Sequence, residues 1–259
     1  MAAINSSASE RQKKILNLLE MNDSISINRL CEVFHVSAVT VRKDLAILEQ
    51  QGLLQRVHGG AISSPANPKY SLSYRNSINK TEKMLIAKIA SNMVKPQDAV
   101  LINAGSTCYF IANELKQKSD FFVITNSLAI MECFLHNRQI STLFLGGYIN
   151  TNIMTSTGDT VLEQLSKYTI NKLFIGMDAV DPIAGATSNN YGEDYIMKHM
   201  IAQAQESILV ADGSKIGKSS LVKIADLCEF STLITTETPQ NKHVLNQISK
   251  LGINVIIAN

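Results

Sequence analysis

Two short apolar stripes of helical spacing lie next to each other between residues 25 and 62. The first stripe comprises Leu30, Val33 and Phe34, and the second comprises Val41, Leu45 and Leu48. Apolar residues that recur at spacings of three and four lie on one side of a helix. Such stripes must be buried, and these two are close enough in the chain to bury each other. The spacing therefore predicts two helices that pack together across a tight turn.

The second of these helices has a clear start signal and a polar leading end. Ser37 is a favoured N-cap residue, because its hydroxyl can accept a backbone N–H of the first turn. A short turn makes the two helices cross steeply, which leaves the leading end of the second helix outside the core. Ser37 and Thr40 supply hydrogen-bonding groups there, while Arg42 and Lys43 supply positive charge. A helix with such an end can enter the major groove of DNA.

A hairpin is predicted directly after this helix. Residues 53–57 have the composition of a strand, and Gly59 with Gly60 permits the chain to reverse. Arg56 and His58 lie near the predicted tip, where we expect a contact to a phosphate.

A further helix is predicted upstream, where Ser9 and Gln12 form a capping-box pattern ahead of the apolar residues Ile15, Leu16, Leu18 and Leu19. Residues 1–62 are therefore predicted to form a winged helix-turn-helix, with the helix-turn-helix at about 25–44. The alternative for Arg42 and Lys43 is an ordinary solvated helix face. Their place on the outward-facing helix, followed by a basic hairpin, favours DNA contact.

The run VSAVTVRKDLAILEQQGLLQRVHGGA resembles the N-terminal signature of the DeoR family of bacterial regulators of sugar metabolism. In that signature a T-[IV]-R-[RK]-D-L helix is followed by L-E-x-x-G and R-x-H-G-G. The resemblance implies that Asp44 is a structural partner rather than a reader of bases. A carboxylate in this position would also repel phosphate.

Length and charge bound the mode of binding. The chain has 259 residues, which suits a DNA-binding head and one larger domain, and its 45% hydrophobic content suffices for a sizeable core. The net charge is only +2, and residues 1–62 contain seven Lys and Arg against six Asp and Glu. Because there is no broad basic field, we expect a homo-oligomer, a dimer or a tetramer, whose paired heads bind double-stranded DNA together.

The four cysteines are far apart in the sequence and form no metal-binding pattern, so we expect reduced thiols, no metal and no cofactor. The first residues lack the apolar core of a secretory signal, and no apolar run approaches the roughly 20 residues that span a bilayer. These features predict a cytoplasmic protein without a membrane contact.

Residues 63–80 are rich in Pro, Ser and Asn and are predicted to form a linker, so the second domain is expected at 81–259. In it, short apolar runs alternate with amphipathic helices. The predicted strands are 99–103, 121–125, 142–145, 172–176, 207–211, 233–235 and 254–258. The predicted helices are 82–94, 107–116, 128–136, 159–166, 191–204 and 240–251. This alternation is typical of α/β proteins and predicts a Rossmann-like three-layer domain around a mostly parallel sheet.

Ligands bind parallel sheets beyond the carboxyl ends of the strands, where helix N-termini point outward. The loops at the first three strand ends are small and polar or rich in glycine. They contain Asn103, Gly105, Ser106 and Thr107; then Thr125, Asn126 and Ser127; and then Gly146 and Gly147. Each loop alone could be an ordinary helix cap. Three of them at equivalent positions predict a shared phosphate-binding pocket.

The remaining candidate residues are charged and follow the fourth strand. Asp178 and Asp181 can accept hydrogen bonds from sugar hydroxyls, and Lys215 can bind a phosphate; Glu193 and Lys198 lie on the next predicted helix. Together they suit a phosphorylated sugar or polyol. The alternative is that the two aspartates only organise a turn and that Lys215 is solvated.

The family resemblance continues through NAGST, TNS, LGG, FIGMDAVD and ADGSK, and so covers nearly the whole chain. It implies a sensor domain related to ribose-5-phosphate isomerase that binds a sugar phosphate as effector. Two positions depart from the family pattern, since Asn103 replaces an Asp and Ala179 replaces a Gly. Asn103 keeps the hydrogen bonding but loses a charge, and Ala179 restricts the loop.

The resulting prediction is a DNA-binding transcriptional repressor of a carbohydrate-utilisation operon, controlled by a phosphorylated sugar or polyol, and not an enzyme. The alternative is a sugar-phosphate isomerase with Glu193 or Asp178 as the base. A more remote alternative is an RNA-binding helix-turn-helix protein. The N-terminal head favours the regulator.

Overall fold

The computed structural model describes residues 8–22, 24–51, 53–63, 72–151, 153–189, 192 and 194–259. In this part of the chain, an N-terminal head of three helices and three strands precedes a larger α/β domain. The helices of the head are α1 (Ala8–Asn22), α2 (Ile27–Phe34) and α3 (Ala38–Gln50). Its strands are β1 (Ser24–Ser26), β2 (Leu54–Val57) and β3 (Gly60–Ser63), which form an antiparallel sheet in the order β1-β3-β2.

The core of the head is small and draws on all three helices. Ile15 and Leu19 of α1, Leu30 of α2, and Leu45 and Leu48 of α3 are all at most 2% exposed. The second apolar stripe of the sequence is therefore buried as predicted. The first stripe differs from the prediction in one residue, Val33.

Val33 is 38% exposed, whereas Leu30 is buried and Phe34 packs against the core. The stripe of α2 runs instead through Ile27, Leu30 and Phe34, which lie three and four residues apart. Val33 lies beside this stripe because α2 has only eight residues and presents a single narrow face to α3.

The larger domain begins with two helices, α4 (Leu72–Ser77) and α5 (Lys80–Asn92). The predicted linker 63–80 differs here, because its last part is helical and α4 contacts α6 (Ser106–Leu115). Residues 64–71 of that linker lie outside the described residues. The helix escaped prediction because a segment of six residues with Leu72 as its aliphatic residue is too short to show apolar periodicity.

The remaining helices are α7 (Leu128–Phe134), α8 (Asp159–Leu165), α9 (Asp194–Gln203) and α10 (Lys242–Ser249). The strands are β4 (Ala99–Ile102), β5 (Phe122–Thr125), β6 (Ser141–Phe144), β7 (Tyr148–Asn150), β8 (Thr155–Thr157), β9 (Ile170–Gly176), β10 (Ala179–Asp181), β11 (Gly185–Ser188), β12 (Ala204–Val210), β13 (Val222–Ala225), β14 (Thr232–Thr235) and β15 (Asn254–Ile257).

Seven strands form one sheet in the order β15-β14-β12-β9-β4-β5-β6, and every neighbouring pair is parallel. The three-layer α/β fold and each predicted strand are thus confirmed, with bounds that differ by a few residues at most. From β4 the chain first adds strands on one side and then, from β9 onward, on the other. The order therefore reverses between β4 and β9, which is where ligands bind in open parallel sheets.

Helices cover both faces of this sheet, and the alternation of strand residues decides which face each side chain joins. In β9, Leu173 and Ile175 pack with α8, α9 and α10, whereas Phe174 between them packs with α5, α6 and α7. Burial on both sides explains why the strands are apolar throughout.

Two small antiparallel units lie outside the main sheet: the hairpin β7–β8, and a three-stranded sheet in the order β10-β11-β13. Sequence reasoning missed both, because strands of three and four residues with Gly, Asp and Thr have the composition of loops. No helix in the described parts of the chain is both long enough and apolar enough to cross a bilayer. The same parts contain no group of three His, Cys, Asp or Glu side chains placed to hold a metal ion.

Candidate functional site

The leading end of α3 forms an exposed polar surface on the head. Ser37 caps the helix, since its Oγ accepts the Thr40 N–H at 3.3 Å and lies 3.1 Å from Thr40 Oγ1. Arg42 and Lys43 follow on the exposed side. Val39, which sequence reasoning did not single out, is 73% exposed at the same end and offers an apolar contact of the kind that thymine methyl groups accept.

Asp44, between these exposed residues and the core, holds the helices of the head together. Its side chain is buried, and its Oδ2 pairs with Arg11 Nε at 2.6 Å. Gln12 Nε2 donates to the other oxygen at 3.1 Å. Gln12 thus ties α1 to α3, while Ser9 lies inside α1 rather than at its cap, so the capping-box prediction is wrong. Asp44 is a structural residue, as the family resemblance implied.

The hairpin β2–β3 forms the wing, and one of its basic residues is fastened to α3. Arg56 donates from its backbone N to Glu49 Oε1 at 2.8 Å and from its Nε to Glu49 Oε2 at 2.7 Å. These bonds, first the backbone one, lower the pKa of Glu49 below its ordinary value. His58 is exposed at the turn, which Gly59 makes with φ +86°. The wing is therefore fixed relative to α3 at its base.

A cleft opens in the larger domain at the point where the strand order reverses. Its walls are the loops that follow β4, β9 and β12, and Arg75 of α4 closes one side. The space inside amounts to about 40 Å³. This is well below the roughly 300–1,000 Å³ of ordinary small-molecule pockets.

The loop after β4 forms one wall of the cleft. Gly105 adopts φ +146°, a conformation that other residues rarely adopt, and it lets the chain enter α6 directly. Ser106 and Thr107 are the first residues of that helix and are buried at the cleft. Because the first N–H groups of a helix lack partners within the helix, this end attracts negative charge. Asn103 also borders the cleft, and its Nδ2 lies 3.5 Å from Met200 Sδ.

The opposite wall carries charged side chains. Asp178 Oδ1 pairs with Arg75 Nη2 at 3.2 Å, and its Oδ2 accepts from Ser188 Oγ at 3.0 Å and Asn189 N at 2.9 Å. Burial raises the pKa of Asp178, but the positive charges of Arg75 and Lys215 and these two hydrogen bonds outweigh burial, so its pKa lies below the ordinary value.

The loop after β12 adds a second carboxylate to the cleft. Asp212 Oδ1 accepts from Asn79 Nδ2 at 2.9 Å and from Ser214 N at 3.1 Å, at the start of a short 3₁₀ turn, Gly213–Lys215. Lys215 ends this turn and lines the cleft. Cations, a helix N-terminus and carboxylates thus face one small space.

The structure brings six of the candidate effector residues to this cleft: Asn103, Gly105, Ser106, Thr107, Asp178 and Lys215. Arg75, Ser188 and Asp212 also line it but were not among the candidates. Asp212 lies inside the ADGSK run and could have been found there, whereas Arg75 was assigned to the linker.

The loop after β5 does not line the cleft. Thr125 Oγ1 donates to Ile102 O at 2.7 Å, Asn126 Nδ2 donates to Ser156 O at 3.0 Å, and Ser127 caps α7. These side chains are used to pack the loop against β4 and β8. This loop therefore caps a helix, which is the alternative that the sequence left open.

The loop after β6 does not line the cleft either. Gly146 N donates to Gln164 Oε1 at 3.2 Å. A Cβ at Gly147 would lie 2.5 Å from Thr157 O, so glycine allows β8 to approach here. Gly147 therefore serves the packing of the hairpin β7–β8, and neither glycine lines the cleft.

Of the remaining candidates, Asp181 accepts from Ile183 N at 2.8 Å and Ala184 N at 2.9 Å, and so organises the turn from β10 to β11. Lys198 is exposed on α9 and pairs with Asp194 at 3.1 Å. Neither lines the cleft. Glu193 lies outside the described residues.

Comparisons with known proteins agree for both domains. The family model described as "DeoR-like helix-turn-helix domain" matches residues 11–66, and that described as "DeoR C terminal sensor domain" matches residues 78–237.

Two curated relatives match along almost their whole length. The putative aga operon transcriptional repressor of Escherichia coli O157:H7 is 31% identical over 253 residues, which are 96% of this chain and 93% of that protein. The HTH-type transcriptional repressor GlcR of Bacillus subtilis (strain 168) is 30% identical over 249 residues, or 96% and 95% of the two chains.

Among solved structures, the ribose 5-phosphate isomerase A of Methanocaldococcus jannaschii aligns with a TM-score of 0.40 at 20% identity. That alignment covers 53% of this chain and 54% of the isomerase, so the chain spans about half the length of that enzyme.

Proposed function

Because the chain belongs to the DeoR family of DNA-binding transcriptional regulators, we propose that it represses a carbohydrate-utilisation operon and that a phosphorylated sugar or polyol relieves this repression. Family membership makes the chain a regulator, since the matching relatives are regulators or repressors rather than enzymes. Repression and the chemistry of the effector are the parts proposed here.

The exposed leading end of α3 is the observation that carries the DNA-binding part. Ser37 caps the helix by accepting the Thr40 N–H, and Arg42 and Lys43 lie on its exposed side. In a helix-turn-helix the first residues of the second helix contact base edges. Arg56 and His58 of the wing lie at the side, where they would contact the phosphate backbone.

The charges in the cleft support a phosphorylated effector. Ser106 and Thr107 at the start of α6, together with Lys215 and Arg75, favour a dianion. Asp178 and Asp212 present carboxylates, which accept hydrogen bonds from hydroxyl groups. A ligand with a phosphate at one end and several hydroxyls at the other fits this distribution.

We further propose that the protein acts as a homo-oligomer in the cytoplasm. A net charge of +2 gives little non-specific attraction to DNA, so two linked heads are needed for tight binding to paired half-sites. The effector would then act by preferring one arrangement of the heads over another.

The isomerase alternative is not supported. The relatives are transcriptional regulators. Asp178, one of its two candidate bases, is paired with Arg75, and its lowered pKa makes it a poor proton acceptor.

Operator binding tests the proposal directly. Fluorescence anisotropy of the full-length protein on a promoter fragment from its own operon should show tight binding that weakens steeply with salt, and a panel of hexose, pentose and polyol monophosphates should include one that releases the fragment. The unphosphorylated sugars serve as controls for the phosphate. The proposal fails if no duplex binds in a salt-sensitive manner, or if the free sugars release it as well as their phosphates do.

A further inference from the structure

We propose that the ion pair between Arg75 and Asp178 is a latch that closes the effector cleft, and that the phosphate of the effector opens it by taking over the Arg75 guanidinium. The proposal rests on the proposed function in one respect, namely that a phosphorylated ligand binds in this cleft. It adds the residue through which occupancy of the cleft would be transmitted towards the head.

The latch joins two parts of the chain that are 103 residues apart in sequence. Arg75 Nη2 lies 3.2 Å from Asp178 Oδ1, and the two side chains are 34% and 17% exposed. Asp178 is fixed from the other side, because Ser188 Oγ and Asn189 N both donate to its Oδ2. Arg75 is therefore the partner that can move while Asp178 stays in place.

The size of the cleft requires such a movement. The roughly 40 Å³ inside it would hold only a few water molecules, at about 10–15 Å³ of such space for each. A sugar phosphate is several times larger. The cleft must open before the ligand can enter. Among the wall residues from outside the three loops, Met197 and Ser188 are buried, whereas the Arg75 side chain is 34% exposed and can move.

Charge explains why a phosphate would draw Arg75 away. A dianion placed between the start of α6 and Lys215 would lie close to the carboxylate of Asp178, which repels it. The guanidinium can bind a phosphate with two parallel N–H donors, and a dianion attracts it more strongly than one carboxylate oxygen does. The exchange favours the guanidinium and the dianion, while Asp178 keeps the hydrogen bonds that Ser188 Oγ and Asn189 N donate to it.

The helix that carries Arg75 is placed to pass the movement on. Lys83 Nζ donates to Arg75 O at 2.6 Å and to Ile78 O at 2.7 Å, and Asn79 Nδ2 donates to Asp212 Oδ1. These bonds anchor the C-terminal end of α4. Its other end, Leu72, follows β3 of the head after eight intervening residues, so α4 is the element of the larger domain that is nearest to the head in the sequence.

Hydrogen exchange of the full-length protein without ligand tests whether the latch exists. In Asp178→Asn the charge that holds Arg75 is lost, so peptides that cover α4 should exchange at least about fivefold faster than in the wild type. Arg75→Gln should have the same effect. Asp181→Asn is the matched control, because this aspartate caps a nearby turn outside the cleft. If α4 exchanges equally in the wild type and in both latch variants, there is no latch.

The same measurement with ligand tests its opening. Inorganic phosphate and the panel of sugar monophosphates are added to the wild type and to Arg75→Gln. A bound phosphate should change the rate of hydrogen exchange in α4 of the wild type. Arg75→Gln should bind the phosphate at least about tenfold more weakly, and its α4 should show no change in exchange rate. Binding to the wild type without any change in α4 would overturn the latch but leave the effector proposal intact. Failure of the wild type to bind any phosphate would refute the effector proposal, and the ligand-free comparison would still decide whether Arg75 and Asp178 hold α4.

Discussion

The two candidate binding surfaces of this protein are built in opposite ways. In the head, the residues expected to contact DNA come from the N-cap and first two turns of α3 and from the adjoining wing, and most of them are exposed. In the larger domain, the cleft combines Arg75 with three loops whose residues range from 103 to 215. A surface for a large partner must be open and can be local. A site for a small anion must surround it, and only distant segments can do that.

The ion pairs of the two regions differ in the same sense. Arg56 of the wing and Glu49 of α3 form an ion pair at 2.7 Å, and their side chains are 46% and 34% exposed. Such pairs contribute little to stability, and they leave a wing arginine close to solvent. Arg75 and Asp178 are less exposed and close a space. The head therefore presents its charges to solvent, whereas Arg75 and Asp178 of the cleft neutralise each other.

The largest effect expected is on the stability of the head alone. Leu45 is 1% exposed in a core of few residues, so Leu45→Ala should destabilise the head by about 2–5 kcal/mol and abolish operator binding. Thermal unfolding and limited proteolysis would measure the loss of stability, with Val33→Ala as the exposed control on α2. If the larger domain lost its sugar-phosphate binding as well, the two regions would not be separable in the way described.

The next largest effect concerns the cation of the cleft. Lys215→Ala should weaken binding of the effector roughly tenfold to a hundredfold, because hydrogen bonds to charged groups contribute about 1.5–3 kcal/mol. Titration calorimetry with the releasing sugar phosphate is the measurement. Lys198→Ala is the matched control, since this lysine is exposed on α9 and pairs with Asp194 outside the cleft. Equal losses in both variants would remove Lys215 from the site.

A comparable or smaller loss of binding affinity is expected when Arg42, a predicted DNA contact of the head, is replaced. Arg42→Ala should weaken specific operator binding by about 1–3 kcal/mol if the guanidinium reaches a base edge. Anisotropy titrations on operator and on unrelated duplex separate this from a phosphate contact, which would weaken both equally. Arg138→Ala, an exposed arginine of the larger domain, should change neither. Unchanged operator affinity in a folded Arg42→Ala protein would take Arg42 off the contact surface.

The smallest expected effect is a pH dependence of stability that arises in the larger domain, at Lys83. Burial lowers the pKa of Lys83 beside the cleft to about 8 from 10.5, with Asp212 opposing the shift. Between these values the unfolded chain binds more protons at this site than the folded one, so the free energy of unfolding should rise with pH across this window. Below pH 8 the site should add no slope. Chemical denaturation of wild type and Lys83→Met from pH 7 to 10.5 would show this slope in the difference between the two proteins, because their other groups titrate alike.

Local signals in the sequence predicted the head well. Ser37 caps α3 as expected, because an N-cap bond joins residues only three apart and needs no tertiary contact. Leu45 and Leu48 are buried because helical spacing alone fixes their common face. Val33 was assigned to the core wrongly, since periodicity does not tell how wide a face the neighbouring helix covers.

The cleft was predictable only in part. The loops at Gly105 and Asp178 were placed at strand ends correctly, because parallel strands bring their carboxyl ends to one edge. Thr125, Asn126 and Ser127 have the same local pattern but bond to β4 and β8 instead. The contacts of these three residues depend on where the hairpin β7–β8 packs. The sequence gives no signal for that position, because each strand of the hairpin has only three residues.

The sequence by itself determined the order of the elements, the two-domain plan and the family, because helix caps, apolar periodicity and dense motifs depend on residues close together in the chain. Only the tertiary structure decided which polar loops share the cleft and that Arg75 of α4 closes it. The physical reason is that a buried charge is placed by the partners that compensate it, and here those partners lie more than a hundred residues apart.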